Sequence, residues 1–480
     1  MAGSGIEDTL AAIGYVKVIA TLKQGVGGAA AASAQIEGSI RDHFMAPDTE
    51  QAESLAAAAT RSAGRKFKRS ESLASRRVRV YPNLGLAVGE VTSNGLASLQ
   101  ADPKVDKIDK APELSLIRPV DEQPARTGAG PTWGIRRLGA DRLWRAGITG
   151  KGVVVGHLDT GVDGTHPALR GAIAQFAAFD LAGDQVPNAP PTDSGEHGTH
   201  TAGTIVGRPV ANGRFGIAPE AQLASAMVIE GGQVIDRILG GMDWVIAQGA
   251  RVLSMSLGLR GFTPAFQSVI DALRAANVLP VIAVGNEGPA TSRSPGNYAN
   301  VLSIGAMDVN DRVADFSGSQ TFNRPINPLC PTLVGPGVDI VSCVPGRKFK
   351  TMDGTSMATP HIAGLAALLL QAVPTATVND LETAIIDSCS LPRSMTQARA
   401  NHGVPDAERA FLRLTGQQQL PSAPPAAAVA TGRRRRPARG RKSPASRPPR
   451  RPAKKVARGH RVAASRNKGA PKRGRRRTGT

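Results

Sequence analysis

Cysteine is scarce: Cys330, Cys343 and Cys389 are the three in a chain of 480 residues. So few thiols in so long a chain do not make a disulfide framework, although one bridge stays open. Long apolar runs are missing as well. No segment reaches the ~20 apolar residues that span a bilayer. The start of the chain carries Glu7 and Asp8, where an export signal wants positive charge followed by an apolar stretch. The expectation is a soluble protein made in the cytoplasm, with no transmembrane segment. Acidic residues are absent from residues 431–480, which hold 21 of the 59 Lys and Arg. The remaining 38 basic residues are matched by 38 acidic ones, so the formal charge of +21 belongs to the tail alone.

That tail also has almost no apolar side chains and is rich in Pro, Ala, Arg and Lys. It cannot bury enough surface to fold and is expected to be disordered. Its charge density would attract phosphate polymers or anionic membrane surfaces through counterion release. Without interleaved aromatics, base stacking is not expected. The functional reading is a nonspecific nucleic-acid tether; the other is a solvated extension, or one removed in maturation.

Three short segments carry chemistry: HLDTGVDGTHP with Asp159, EHGTHTAGTI with His197 and DGTSMATPHIAG with Ser356. They supply a carboxylate, an imidazole and a hydroxyl in the order Asp, His, Ser, one of three chain orders on which unrelated folds have converged for acyl transfer. A serine hydroxyl is a poor nucleophile at neutral pH, so a base must take its proton as it attacks a carbonyl carbon. Imidazole titrates near working pH and suits that task. The carboxylate would hold the ring in one tautomer and stabilise the imidazolium. Taken singly, HGTH also fits a metal pair or a capping histidine, and GTS an ordinary turn into a helix. Their coincidence favours a serine hydrolase.

Local sequence places each residue at the end of an element. GVVVGHLD, residues 152–159, predicts a buried parallel strand that delivers Asp159 at its carboxyl end, with Gly161 and Gly164 turning the chain. HTAGTIVG predicts a compact helix beginning near His197. GTSMATPHIAGLAALLLQA predicts a long apolar helix with Ser356 in its first turn, where free N–H groups and the helix dipole face the reaction centre. Pro360 is expected near that first turn. VLPVIAVGNEG, residues 278–288, predicts a strand that aims the Asn286 amide into the same cleft, where it and the Ser356 N–H would meet an oxyanion. AQLASAMVI, RVLSMSL and VLSIGAM read as further strands, and Phe266, Val269, Ile270 and Leu273 mark one face of a helix. Strands alternating with helices predict a parallel sheet covered on both faces. His166, His200 and His361 are read as packing or hydrogen-bonded histidines.

The four segments together, over residues 131–412, resemble the subtilisin-like serine peptidases. The resemblance implies an α/β fold: a three-layer domain with a mainly parallel central sheet, taken as residues 132–415. It implies Asp159, His197 and Ser356 as the triad, and Asn286 with the Ser356 backbone as oxyanion donors. It also implies that the backbone of Ser256, Leu257 and Gly258 pairs with an extended polypeptide substrate. No cofactor is implied. GRPVANGRFGIAP lies where relatives commonly carry a calcium loop but contains no carboxylate, so it gives no ground for a metal site. In SRSPGNYANVLSIGA, Arg293 stands two residues before Pro295, at a pocket position often glycine in the family. A guanidinium at the pocket floor would favour an acidic side chain on the acyl side of the scissile bond. The other reading has Arg293 pointing to solvent.

Residues 1–118 form a second module by pattern. YVKVIATLK reads as a strand, residues 35–60 as helix-rich, YPNLGLAVGEV as a strand, and GLASLQADPKV as a helix ending before Asp102-Pro103. This is similar to the inhibitory propeptide of the family, a small α+β domain; an unrelated docking domain would show the same pattern. Residues 119–131, within the polar and Pro/Gly-rich RPVDEQPARTGAGP, read as an exposed linker that the enzyme cuts itself. Residues 416–480 are the tail. The leading function is a serine endopeptidase zymogen whose partners are polypeptide substrates and its own propeptide. The alternative is a nucleic-acid-associated regulatory protein with a silent or only self-processing peptidase domain.

Overall fold

The computed structural model describes residues 4–23, 37–45, 78–211, 213–229 and 234–422. The expectation for the tail, and most of that for residues 35–60, lie outside them.

The amino-terminal module is an antiparallel sheet of β1 (Val16–Leu22), β2 (Val78–Tyr81), β3 (Leu86–Val91) and β4 (Val105–Lys110), in the order β2-β3-β1-β4. Helices α1 (Ser4–Ile13) and α2 (Ser93–Ala101) cover one face, and Thr92 caps α2 by accepting from the Gly95 N–H at 3.3 Å. The two-residue period of a strand decides what each face meets. Val16, Val18 and Ala20 of β1 join Ile6, Leu10, Leu96 and Leu99 in the module's own core. Ile19, Tyr81, Leu86 and Val88 face the other way and pack into the core of the larger domain. One expectation is corrected here. YPNLGLAVGEV is not one strand: β2 ends at Tyr81, residues 82–85 turn with Gly85 at φ +64°, and β3 begins at Leu86. The Pro-Asn-Leu-Gly sequence is a turn signal.

Two short strands follow, β5 (Ser115–Leu116) and β6 (Asp121–Ala125). The central sheet contains β7 (Val154–Asp159), β8 (Ile173–Ala178), β9 (Gln222–Met227), β10 (Val252–Met255), β12 (Leu279–Ala283), β13 (Leu302–Met307) and β14 (Leu333–Pro336). All its pairings are parallel, in the order β14-β13-β12-β10-β7-β9-β8. Strand β11 (Leu257–Arg260) leaves the end of β10 and forms a separate edge. Helices α3 (His197–Val206) and α6 (Thr355–Ala372) lie on one face of the sheet, α4 (Ile235–Ala247) and α5 (Gln267–Ala275) on the other. Strand residues divide accordingly: Val155, Val252 and Val281 face α3 and α6, while Leu158, Leu253 and Ile282 face α4 and α5. This is the three-layer α/β arrangement, with side chains buried on both faces of a parallel sheet.

The module docks on α4. Lys17 pairs with Asp236, Arg79 with Asp184 at 2.7 Å, and the Tyr81 hydroxyl donates to the Asp236 carbonyl at 3.0 Å. The Asp243 carboxylate accepts from the Asn83 N–H at 2.7 Å, the Asn83 amide at 3.0 Å and the Leu84 N–H at 3.1 Å. The stretch expected as an exposed linker has exposed side chains, and part of it forms a strand. Strand β6 pairs antiparallel with β16 (Lys348–Asp353), itself paired with β15 (Ile340–Val344). Pro124 is tolerated there because β6 is the outer strand of the three.

Candidate active site

Asp159 is the last residue of β7, at the carboxyl end of the parallel sheet where such folds present functional groups. His197 opens α3. Two glycines let these elements meet. Gly161 has φ +113°, and a Cβ there would lie 2.1 Å from the Thr192 carbonyl; one on Gly198 would lie 2.1 Å from the Gly161 carbonyl. The result is a 2.7 Å hydrogen bond from His197 Nδ1 to Asp159 Oδ1, with both side chains buried. Burial alone would raise the Asp159 pKa. The facing His197 imidazole, its hydrogen bond and the Thr160 N–H at 2.7 Å outweigh burial and hold the carboxyl below its usual range. Thr201 donates to the other oxygen, Oδ2, at 3.1 Å.

Sequence reasoning missed Asp193. Its carboxylate accepts from the Thr199 N–H at 2.7 Å and the Thr199 hydroxyl at 2.6 Å, which places it at the amino end of α3. It also accepts from the Thr160 hydroxyl at 2.7 Å, and Thr160 Oγ1 in turn accepts from Gly198 N–H at 2.9 Å. Asp193 thereby ties the aspartate turn to the histidine helix. The signal was present in TDSGEHGTH: an aspartate in a short polar turn just before a helix.

Ser356 is the second residue of α6, after the cap residue Gly354. Pro360 lies in the second turn, beyond the first turn that was expected. Lacking an N–H, it leaves the Ser356 carbonyl without its intrahelical donor. The Ser256 hydroxyl approaches that carbonyl instead, at 3.4 Å. Asn286 follows β12. Its amide oxygen accepts from the Thr355 N–H at 2.9 Å and the Thr355 hydroxyl at 2.8 Å, which turns the NH2 toward the cleft.

The cleft is occupied by the chain itself. Strand β5 pairs antiparallel with β11, Leu116 opposite Leu257 and Ser115 opposite Gly258, and the Ile117 N–H donates to the Ser256 carbonyl at 3.0 Å. Ser356 Oγ donates to the Ile117 carbonyl at 2.7 Å, whereas the Asn286 amide donates to the next carbonyl, that of Arg118, at 2.9 Å. Beyond it, the Val120 N–H donates to the Asp353 carbonyl at 2.8 Å. His197 Nε2 is buried and has no hydrogen-bond partner among the described residues.

The structure corrects both readings of Arg293. The side chain is buried and does not point to solvent, but its charge is not free either: it pairs with Glu287, with Nε 3.0 Å from Oε1. Burial alone would raise the Glu287 pKa; the hydrogen bond to Arg293 and the charges of Arg293 and Arg260 bring it below the usual carboxylate range. The guanidinium also reaches Ser115 Oγ and the Gly258 carbonyl, each at 3.2 Å. The basis for an acidic preference is removed, because Glu287 supplies the negative charge and the residue beside Ser356 is Ile117. Asp121 and Glu122 lie on the opposite side of the serine, in β6, where Lys350 bridges Glu122 at 3.3 Å and Glu196.

His200 and His361 are buried structural groups. His200 hydrogen bonds to the Ile340 carbonyl at 2.9 Å and His361 to the Met357 carbonyl at 2.8 Å. Burial lowers His200 to about 3 and His361 to about 4. Both therefore stay neutral in the fold at pH values where an unfolded histidine, near ~6.5, takes up a proton. Their contribution to stability is full above ~6.5 and is lost as pH falls toward 4 and below. Thermal unfolding midpoints should drop over that window. His200→Gln, which keeps a donor for Ile340, should flatten the drop; an unchanged slope would contradict this.

Comparison with known proteins points the same way. A family model described as the subtilase family matches residues 150–414. The M-protease of Shouchella clausii is 36% identical over 281 residues, covering 58% of this chain and 69% of that protein. Subtilisin BL of Lederbergia lenta is 38% identical over 245 residues, 50% of this chain and 85% of its own. An intracellular serine protease of Paenibacillus polymyxa is also 38% identical over 245 residues, 72% of its length.

Proposed function

Because the chain belongs to the subtilase family and is a serine endopeptidase, we propose that Ser356 is the nucleophile, His197 its general base and Asp159 the group that orients the ring. In this reading His197 Nδ1–H is held by Asp159, which leaves Nε2 as the proton acceptor that the attack requires. The tetrahedral oxyanion forms at the Asn286 amide and the Ser356 N–H, one of the first-turn donors without an intrahelical acceptor. His197 then returns the proton to the leaving amine, and water repeats the sequence on the acyl-enzyme.

We further propose that the protein is a self-processing zymogen and that the segment up to Ile117 acts as its inhibitor. The observation that carries this reading is the 2.7 Å hydrogen bond from Ser356 Oγ to the Ile117 carbonyl in a strand paired with β11. The pairing makes Ile117 the acyl residue and Ile117–Arg118 the scissile bond. The following bond, Arg118–Pro119, is a tertiary amide and a poorer fit to the same machinery. Asn286 rests on the Arg118 oxygen, one residue past the bond. Cleavage then requires the Ile117 carbonyl oxygen to turn onto the Asn286 amide in place of the Arg118 oxygen, with the β5–β11 register kept. The mature enzyme should begin at Arg118, as read by amino-terminal sequencing and intact mass. Full activity from a chain whose amino terminus is intact would contradict the proposal.

A further inference from the structure

A buried polar cluster sits behind Asp159. His157, two residues earlier on β7, is buried. Its Nδ1 lies 3.0 Å from Ser225 Oγ on the neighbouring strand β9, and its Nε2 lies 2.9 Å from Thr201 Oγ1 on α3. Nε2 is 3.8 Å from Asp159 Oδ2, too far for a direct hydrogen bond. We infer that His157 is a positioning residue for the Asp159–His197 pair and acts through the Thr201 hydroxyl. The inference rests on the triad reading above.

The direction of the chain follows from counting protons. Ser225 is fully buried, and among the described residues its hydroxyl has His157 Nδ1 as its one partner. A buried hydroxyl without an acceptor costs free energy, so Ser225 donates and Nδ1 accepts. Neutral imidazole then carries its proton on Nε2 and donates to Thr201. Thr201 has one proton and three further acceptors in reach: Asp159 Oδ2 at 3.1 Å, the Gly198 carbonyl at 3.1 Å and the His197 carbonyl at 3.2 Å. A helical threonine ordinarily bonds back to its own helix. With its oxygen already accepting from His157, the hydroxyl proton is free to take the charged acceptor, the stronger of the choices. The chain reads Ser225 O–H to His157, His157 N–H to Thr201, Thr201 O–H to Asp159 Oδ2, with Oδ1 left for Thr160 and His197. Were Nε2 bare, Thr201 would donate to His157, and Asp159 Oδ2 would face an oxygen lone pair. The carboxylate would then be free to rotate away from His197.

The test uses active enzyme prepared from the full chain, with kcat and KM measured separately. His157→Met, which fills the site but cannot donate, should lower kcat ~10-fold with KM little changed, the scale of one hydrogen bond to a charged group. His157→Gln, whose amide can place an N–H toward Thr201, should recover most of that loss. The loss should vanish in a Thr201→Val background, because the effect passes through that hydroxyl. If His157→Met does not fold, Ser225→Ala removes one oxygen and should lower kcat ~3-fold, again only when Thr201 is present. An unchanged kcat, or a loss that persists in the Thr201→Val background, would overturn the inference. Ser356→Ala separates the two levels. If it retains turnover, the triad reading fails; if it abolishes turnover while the His157 and Ser225 variants match wild type, only this inference fails.

Discussion

Replacing Ser356 with alanine is expected to lower kcat for peptide hydrolysis on the order of 10⁶-fold, the scale known for the same three-residue unit in subtilisin. The substitution removes only Oγ, whose hydrogen bond goes to the Ile117 carbonyl. It leaves the Asp159–His197 bond and the Asn286 amide, held by Thr355, in place. The variant should therefore fold as wild type does and accumulate as the uncut chain. What turnover remains would come from binding and the oxyanion donors alone. A Ser356→Ala protein that still processes itself would place the attacking group elsewhere.

The second large effect is expected at Asp159. Asp159→Asn should lower kcat ~10⁴-fold with KM little changed. In the native site Oδ1 accepts from both the Thr160 N–H and His197 Nδ1, while Oδ2 accepts from Thr201. An asparagine keeps the side-chain shape but puts an NH2 in place of one oxygen; toward His197 it forces the ring into the wrong tautomer, and toward Thr201 it meets a hydroxyl that is itself donating. The geometry survives but the negative charge does not, and that charge stabilises the imidazolium in the transition state. Steady-state kinetics on a short peptide substrate, with the unfolding midpoint as control, would check this. A loss of less than ~10-fold would mean that the carboxylate does not face a developing charge.

How much of this was legible in the sequence depended on distance along the chain. Asp159, His197 and Ser356 each sit at the end of an element whose pattern is local: a β-branched run, a small-residue helix and an apolar helix. Asn286 follows a strand of the same kind. Features fixed by distant partners could not be read. Strand β6 is polar, contains Pro124 and has no apolar alternation; it exists because the backbone of β16, more than 200 residues away, offers it an edge. Arg293 looked like a free cation because nothing in the sequence showed that Glu287 would turn back onto it. His157 passed unnoticed because one imidazole in an apolar strand carries no sign that Ser225 and Thr201 will flank it. The turn at residues 82–85 was different: its signal was local and was read through.

The most direct measurement of the central claim, that Ser356 is the attacking group activated by His197, is covalent labelling with a fluorophosphonate followed by peptide mass mapping. The account predicts one adduct, on Ser356, formed much more slowly in His197→Ala and accompanied by complete loss of peptidase activity. An adduct on another residue, or full activity after Ser356 is modified, would contradict it.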